Sequence, residues 1–153
     1  MIVVIDTNVL VSAALRDRDP QAVTMTITVV AAVVEQHGAF LVTQRQQGAH
    51  LAGLWEFPGG KVDARETHAD ALRREIREEL DADVAVGELI LDTTHAYPDR
   101  AVTLCFYRCV LRSDPRPVLG QAMRWVPRHE LPSLDFPPAD DELIRLLVSG
   151  AGP

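Results

Sequence analysis

Three glutamates at helical spacing are the residues of this sequence best suited to chemistry. Glu75, Glu78 and Glu79 stand three and four residues apart, and on a helix that spacing places their carboxylates on one face. Like charges so placed cost roughly 0.2 to 0.5 kcal/mol per pair unless a cation neutralises them. Mg²⁺ is held in proteins by a few carboxylates together with the phosphates of a substrate. The spacing therefore predicts a magnesium site that serves phosphate chemistry.

The acids need a helix to carry them, and the local sequence predicts one. Thr67 followed by Asp70 has the form of a capping box at a helix start. Apolar residues recur at helical spacing on a face away from the acids, at Ala69, Leu72, Ile76 and Leu80. Upstream, Pro58-Gly59-Gly60 predicts a tight loop with accessible carbonyl and amide groups, as a site for metal and phosphate requires. The predicted helix therefore has a core side and a chemical side.

The spacing of these residues resembles the sequence motif of the Nudix hydrolases. The match consists of Gly60, five residues, Glu66, seven residues, Arg74-Glu75-Ile76, one residue and Glu78-Glu79. The family motif ends in a glycine and an aliphatic residue, where this chain has Asp81 and Ala82. A glycine there would close the helix in a left-handed conformation, which Asp adopts at some cost. The resemblance implies an α/β fold, namely an α/β/α sandwich with a mixed β-sheet and the motif helix packed against it.

The resemblance also implies roles for the motif residues. The implied metal ligands, for Mg²⁺ or alternatively Mn²⁺, are the carbonyl of Gly59 and the carboxylates of Glu75, Glu78 and Glu79. As the catalytic group, either Glu75 or Glu79 would orient or deprotonate the attacking water. Glu66 would support the loop and its water network. Arg74, four residues before Glu78, would orient the carboxylates by a charge-assisted hydrogen bond.

Further matches, from about residue 26 to 147, are similar to the MutT-like nucleoside triphosphate pyrophosphohydrolases. They comprise Arg45, His50 and the stretches 54–61, 97–100 and 136–140. The resemblance implies nucleotide contacts at Arg45, His50, Phe57, Lys61, Asp99, Arg100 and Asp140. Arg45 and Lys61 would neutralise the phosphate tail, with simple surface exposure as the alternative, and Phe57 would pack on the base unless it belongs to the core.

Asp140 bears most directly on which base is bound. The 8-oxo-dGTP enzymes that the chain resembles have an asparagine here, which both donates and accepts toward an oxidised guanine, whereas ionised Asp only accepts. An acceptor suits an exocyclic amino group such as that of cytosine. Asp also serves a guanine if it is protonated or receives the amino and ring N–H groups of the purine, so both bases stay open.

One departure from the MutT relatives concerns the number of metal ligands. In those relatives a glutamate precedes Gly-Gln in the loop before the last strand and adds a ligand for the metal. The corresponding stretch here is Leu119-Gly120-Gln121. Either the loop aligns differently, or the site binds metal less tightly and depends on the helix acids and the substrate phosphates.

The composition indicates one globular domain with a small ligand. The chain has 153 residues, 47% hydrophobic and 24% charged, and a net charge of −7, which argues against a nucleic-acid surface. Cys105 and Cys109 lack CxxC spacing and are expected to be buried free thiols, as in a reducing cytoplasm. The apolar run 27–34 is too short to span a bilayer, and the N-terminus lacks the features of a signal peptide. We expect a cytoplasmic protein, monomeric or homodimeric, that contacts neither nucleic acid nor membrane.

The N-terminal residues 1–22 form an extension in this interpretation, and residues 23–150 form the Nudix domain. A buried strand runs into Asp6-Thr7-Asn8, which resembles the truncated start of a PIN-domain ribonuclease whose first acidic metal ligand would match Asp6. No room remains for the rest of a PIN domain. A fusion scar, a displaced start, or an added strand or helix are the alternatives.

The remaining pattern predicts the elements that would position the site. These are strands over residues 24–36, 39–44, 84–91, 101–111 and 123–126 and a helix over 139–148. The prediction is a Mg²⁺-dependent MutT-type hydrolase that splits nucleoside triphosphates such as 8-oxo-dGTP into monophosphate and pyrophosphate. The alternatives are a cytosine-nucleotide pyrophosphohydrolase and, more remotely, a nucleotide-binding module with weak catalysis or a PIN-type RNase.

Overall fold

A seven-stranded mixed sheet carries two helices in the computed structural model, which describes residues 25–48, 52–96 and 98–150. The strands are β1 (Met25–Gln36), β2 (Ala39–Gln44), β3 (Trp55–Glu56), β4 (Gly59–Lys61), β5 (Val84–Ala96), β6 (Arg100–Leu111) and β7 (Met123–Pro127). The helices are α1 (His68–Leu80) and α2 (Asp141–Val148), with 3₁₀ turns at Arg128–Ser133 and Pro138–Asp140. No helix in the described ranges has the length and apolar character needed to cross a membrane. The predictions for residues 1–22 and for His50 lie outside the described residues.

Strand β1 lies at the centre of the sheet because it is apolar on both faces. Val29, Val30, Val33 and Val34 are each at most 3% exposed. On one edge β1 runs parallel to β6, with Val29 opposite Leu104, and β6 pairs antiparallel with β5. On the other edge β1 pairs antiparallel first with β4 and then with β2. The predicted central strand is confirmed. Its pairing places β4 in the middle of the sheet, together with the stretch Pro58-Gly59-Gly60, which we call the glycine loop.

Two apolar layers cover the two faces of the sheet. On one face α1 packs through Ile76 and Leu80 against residues that include Val30. On the opposite face α2 packs through Leu143 against residues that include Val33. Neighbouring side chains of β1 thus point to different layers, as the pleat of a strand requires. The expected α/β/α sandwich with a mixed sheet is confirmed.

Two element boundaries differ from the sequence prediction by more than one residue. β5 continues to Ala96 rather than ending at residue 91, because its second half keeps pairing with β6 as far as Ala101. α2 begins at Asp141 rather than at residue 139, because Pro138 starts a 3₁₀ turn. On α1, Ala71 rather than Ala69 is fully buried.

Candidate active site

The glycine loop is fixed to the centre of the sheet by its backbone. The tight loop predicted for residues 58–60 is wrong for its two glycines, because Gly59 and Gly60 are strand residues that form most of β4 and pair with β1. Just before them, the carbonyl of Pro58 accepts a hydrogen bond of 2.8 Å from the amide of Ala32. Backbone pairing of this kind gives the loop a single position relative to the sheet.

Positions 59 and 60 require glycine because other atoms lie too close for a side chain. A Cβ at Gly59 would lie 2.0 Å from the carbonyl oxygen of Val30. A Cβ at Gly60 would lie 2.4 Å from the carboxyl carbon of Glu75. The missing side chain at Gly60 therefore makes the space that the Glu75 carboxylate occupies.

The two ends of α1 form as the sequence predicts. At the start, Thr67 Oγ1 accepts a hydrogen bond of 3.0 Å from the amide of Asp70. At the end, Asp81 takes the left-handed conformation with φ 49° and ψ 43°, and its amide donates to the carbonyl of Arg77 at 3.0 Å. The carboxylate of Asp81 also pairs with Arg116. The expectation that Asp replaces glycine at this left-handed position is confirmed.

The helix acids do not form one solvated face. Glu75 and Glu79 are each 6% exposed, whereas the side chain of Glu78 is 25% exposed. The apolar residues Leu72, Ile76 and Leu80 pack in the core as predicted, and two of the acids are buried as well, which helical spacing alone does not predict. The glycine loop covers Glu75, and the segment before β7 packs against the backbone of Glu79.

Arg74 links the acids to the loop. Its Nε and Nη2 donate to the two carboxylate oxygens of Glu66 at 2.8 and 2.9 Å. Its Nη1 donates to Glu75 at 2.9 Å and to Glu78 at 3.5 Å. The bidentate pairing fixes the plane of the guanidinium. Glu66, rather than Glu78, is therefore the main partner of Arg74.

Burial and Arg74 act in opposite directions on these carboxyl groups. Burial raises the pKa of Glu75 to about 7 against the hydrogen bond and charge of Arg74. At Glu66 the hydrogen bond from Arg74 outweighs desolvation and lowers the pKa. The hydrogen bond to Glu66 in turn raises the pKa of Arg74. A buried acid with a pKa near neutrality is suited to proton transfer or to holding a cation.

Oxygen donors suited to a divalent cation lie between α1 and the glycine loop. Oε2 of Glu75 is buried without a hydrogen-bond partner among the described residues. No three side chains of His, Cys, Asp or Glu stand preassembled as a metal centre in that part of the chain. The Arg74 guanidinium instead provides positive charge next to Glu75 and Glu78. The residues thus fit a hard cation that is held partly by substrate phosphates, as Mg²⁺ commonly is.

A small cavity beside the glycine loop brings together three of the predicted residues. Gly59, Phe57 and Asp140 lie in its wall, and Asp140 is only 4% exposed. The ring of Phe57 stacks on Phe136 with centroids 5.4 Å apart and meets Phe106 edge-on at 6.4 Å. Phe57 therefore belongs to the core and to the cavity wall at once.

Glu56 and Phe106 also line this cavity and are missed by the sequence reasoning. For Glu56 the available signal is a carboxylate between two aromatic residues, Trp55 and Phe57, directly before the glycine loop. For Phe106 no local signal exists, because an aromatic residue in a buried strand is typical of a core.

None of the other described nucleotide-contact candidates lines this cavity. Arg45 is 6% exposed and lines a separate polar cavity of about 430 Å³ together with several glutamines. Lys61 is exposed at the end of β4. Asp99 is 4% exposed and its Oδ2 lies 3.4 Å from Nη2 of Arg100. The structure therefore places these predicted contacts apart from Phe57 and Asp140.

The segment before β7 has no carboxylate where the relatives were expected to have one. Leu119 occupies that position with a side chain that is 43% exposed. Gln121, which the sequence reasoning did not assign, is 9% exposed, and its Nε2 donates to the carbonyl of Glu79 at 3.0 Å. A polar residue directly after a glycine gives no signal of such a contact, because the partner lies on a distant helix.

Known proteins are similar to this chain in both sequence and fold. The family model of the NUDIX domain matches residues 29–146. The 8-oxo-dGTP diphosphatase of Haemophilus influenzae is 37% identical over 125 residues, which cover 80% of this chain and 92% of that protein. The CTP pyrophosphohydrolase of Escherichia coli K12 is 34% identical over 124 residues, covering 80% of this chain and 92% of that protein. The solution structure of the Escherichia coli ORF135 protein has a TM-score of 0.72 at 34% identity, covering 84% of this chain and 90% of that chain.

Proposed function

This chain belongs to the NUDIX domain family, and on that premise we propose that it hydrolyses nucleoside triphosphates to a nucleoside monophosphate and pyrophosphate. The observation that carries the proposal is the position of β4 between two sites. Gly60 approaches the carboxylate of Glu75, while its neighbour Gly59 lines the cavity that holds Asp140. We place the base at this small cavity, towards which a phosphate chain bound at the helix acids would extend past β4.

In the proposed reaction, water attacks an internal phosphorus of the triphosphate. A new P–O bond forms from the water oxygen, and the bridging P–O bond to the leaving pyrophosphate breaks. Either Glu75 or Glu79 accepts the proton of the water. Arg74 holds Glu66 and Glu75 in place through its hydrogen bonds.

A divalent metal is part of this proposal, because the NUDIX family uses such ions. The residues that would hold it are the carbonyl of Gly59 and the carboxylates of Glu75, Glu78 and Glu79. When bound, the ion supplies charge neutralisation of the phosphates and activation of water. Mg²⁺ is the proposed ion, with Mn²⁺ as the alternative, because oxygen donors and substrate phosphates are its usual ligands. Arg45 and Lys61 are the proposed cations for the remaining phosphate charge.

For the base, we propose an oxidised or otherwise modified purine such as 8-oxo-dGTP. The similarity to the Haemophilus influenzae 8-oxo-dGTP diphosphatase, over 92% of that protein, supports this. Phe57 gives the cavity an apolar wall, and Asp140 provides a buried acceptor for the amino and ring N–H groups of a guanine. Asp99, Arg100 and His50 are further proposed contacts.

Cytosine nucleotides are the second candidate, and a specific observation favours them. Glu56 and Asp140 both line the cavity, so two carboxylates offer acceptors to an exocyclic amino group. The similarity to the Escherichia coli CTP pyrophosphohydrolase supports this candidate. CTP, dCTP and 5-methyl-dCTP would then be the substrates.

The catalytic unit in this proposal is residues 23–150, acting in the cytoplasm on small-molecule nucleotides as a monomer or homodimer. Cys105 and Cys109 are free, buried thiols, which is compatible with a reducing compartment. Deleting residues 1–22 should leave nucleotide hydrolysis intact. Loss of an RNase activity on that deletion would instead favour the PIN-type alternative.

The test is a substrate panel in the presence of Mg²⁺, in which kcat/KM is compared for 8-oxo-dGTP, dGTP, dCTP, 5-methyl-dCTP and CTP. Monophosphate and pyrophosphate should appear in equal amounts. In Glu78→Gln and in Glu79→Gln, kcat/KM should fall by more than the roughly 10- to 100-fold loss that is typical of residues that only support metal ligands. Near-wild-type rates in both variants would contradict the metal assignment, and tight nucleotide binding without turnover would favour a binding module.

A further inference from the structure

We propose that Gln121 is a positioning residue for the last turn of α1, a role that rests on the function proposed above. Its side chain is 9% exposed and carries two hydrogen bonds. Nε2 donates to the backbone carbonyl of Glu79 at 3.0 Å, and Oε1 accepts from the amide of Leu119 at 2.9 Å. A single buried amide thus joins the proposed metal-binding turn to the segment before β7.

The carbonyls of a last helical turn have no partner within their own helix. In α1 they are satisfied from this segment, since the amide of Val118 donates to the Glu79 carbonyl at 3.2 Å and that of Arg116 to the Leu80 carbonyl at 2.7 Å. Gln121 adds a second donor at the Glu79 carbonyl. Two donors at one carbonyl fix the orientation of that peptide, and with it the direction of the Glu79 side chain.

The same segment also contacts the other side of the site. The side chain of Gln46 donates to the carbonyl of Leu119. Gln46 and Gln121 line the polar cavity that includes Arg45, a proposed phosphate contact. Gln121 therefore holds Glu79 in register with the loop that follows β2. It acts through the backbone of Glu79, so it is not itself a catalytic residue.

The test is Mn²⁺ binding to the nucleotide-free full-length protein, followed by the electron paramagnetic resonance signal of free Mn²⁺. Gln121→Met keeps the length of the side chain and removes the amide. Its Kd for Mn²⁺ should rise about tenfold, as is typical when a residue supporting a metal ligand is lost. The metal concentration for half-maximal hydrolysis should rise equally, while kcat at saturating metal falls less than about threefold.

Two matched controls separate positioning from general stability. Arg128 Nη1 donates to the Leu147 carbonyl in the last turn of α2 at 2.7 Å, so Arg128→Ala should lower Tm without changing Mn²⁺ affinity. Leu119→Ala removes an exposed side chain and keeps the backbone contacts, so it should bind Mn²⁺ as the wild type does. If Gln121→Met does not fold, Gln121→Asn, too short to bridge both partners, should show a smaller rise in Kd.

Wild-type Mn²⁺ affinity in a folded Gln121→Met variant would overturn the positioning role, as would a wild type that binds no Mn²⁺. Failure of the proposed function would give a different experimental result. In that case the wild type binds Mn²⁺ and hydrolyses none of the nucleoside triphosphates, while the effect of Gln121→Met on Kd can still be read.

Discussion

Arg74 donates a 2.9 Å hydrogen bond to Oε1 of Glu75, while Oε2 of the same carboxylate is buried without a hydrogen-bond partner in the described ranges. One half of the Glu75 carboxylate is thus held by the protein and the other half is left to a ligand. Burial nevertheless outweighs the guanidinium, because the pKa of Glu75 is about 7. The charged form of Glu75 is therefore disfavoured in the folded protein until a cation arrives.

The stability of the metal-free protein should consequently fall as the pH rises from about 4.5 to 7. The unfolded chain loses its Glu75 proton near the ordinary value of 4.5, but the folded protein keeps it until about 7. Between those values the unfolded state binds fewer protons, so stability declines, by at most about 3 kcal/mol. Glu66, with its lowered pKa, affects the pH dependence of stability only below about pH 4.5. Thermal melts in a chelator across this pH range measure the slope.

Glu75→Gln is the matched control for this pH dependence, since it removes the titrating group and should flatten the slope. Mg²⁺ should stabilise the wild type more at pH 8 than at pH 5.5, because binding requires the ionised carboxylate. A slope that is the same in the wild type and in Glu75→Gln would assign the pH dependence to other groups.

Gly60→Ala should strongly reduce hydrolysis, because the new Cβ would lie 2.4 Å from the carboxyl carbon of Glu75 and must displace it. A displacement of about 1 Å at a reacting centre can cost about 100-fold in rate. We therefore expect kcat/KM to fall by about 100-fold. Gly87→Ala is the control, since its Cβ would meet only the carbonyl of Arg108 at 3.0 Å, away from the site. Full activity in Gly60→Ala would show that Glu75 does not need this position.

Asp81→Gly should stabilise the protein, because Asp81 occupies the left-handed conformation that glycine adopts without cost. The variant loses the ion pair with Arg116, whose side chain is 70% exposed, and exposed pairs contribute little. Relief of the left-handed conformation is worth about 1 to 2 kcal/mol, and the greater flexibility of the unfolded glycine variant offsets about 0.4 to 1 kcal/mol of this. The expected net gain in the free energy of unfolding, measured by urea denaturation, is therefore about 0.5 kcal/mol. Arg116→Ala alone should change the free energy of unfolding by less than about 0.5 kcal/mol. If Asp81→Gly is instead less stable than the wild type, the ion pair contributes more than the left-handed backbone conformation costs.

The features of α1 that depend on neighbouring residues could be predicted from the sequence. The Thr67 cap, the apolar row except for Ala69, and the left-handed Asp81 follow from local chemistry and agree with the structure. The burial of Glu75 and Glu79 could not be predicted in the same way. Helical spacing relates side chains to one another, but it does not say which other segments will cover them.

Contacts between distant segments mark the limit of the sequence reasoning. Glu56 reaches the cavity from a strand of only two residues, and Gln121 meets Glu79 across 42 positions of the chain. Neither has a periodic signal, and the matched stretch 54–61 that includes Glu56 does not show that its side chain reaches the cavity. The length of β5 was likewise underestimated, because its second half is held by pairing with β6 rather than by its own apolar pattern.

Asp140→Asn should change which base the enzyme prefers. Asp140 is 4% exposed in the cavity wall, and as a carboxylate it only accepts hydrogen bonds, whereas an amide also donates. The amide gains a donor for the carbonyl oxygen of an oxidised guanine and gives up one of the two acceptor oxygens that the carboxylate offers to the amino group of cytosine. A buried polar group left without a partner costs about 1 to 3 kcal/mol, or about 10- to 100-fold in rate.

The ratio of kcat/KM for 8-oxo-dGTP to that for dCTP should therefore rise at least about tenfold in Asp140→Asn. Asp141→Asn, one residue further on at the exposed start of α2, is the matched control and should leave the ratio unchanged. Both variants remove one negative charge, so a change confined to Asp140→Asn reports hydrogen bonding rather than net charge. A fall in the ratio confined to Asp140→Asn would mean that the carboxylate accepts from the amino and ring N–H groups of a guanine. An equal shift in the two variants, or none in either, would place base selection outside this cavity.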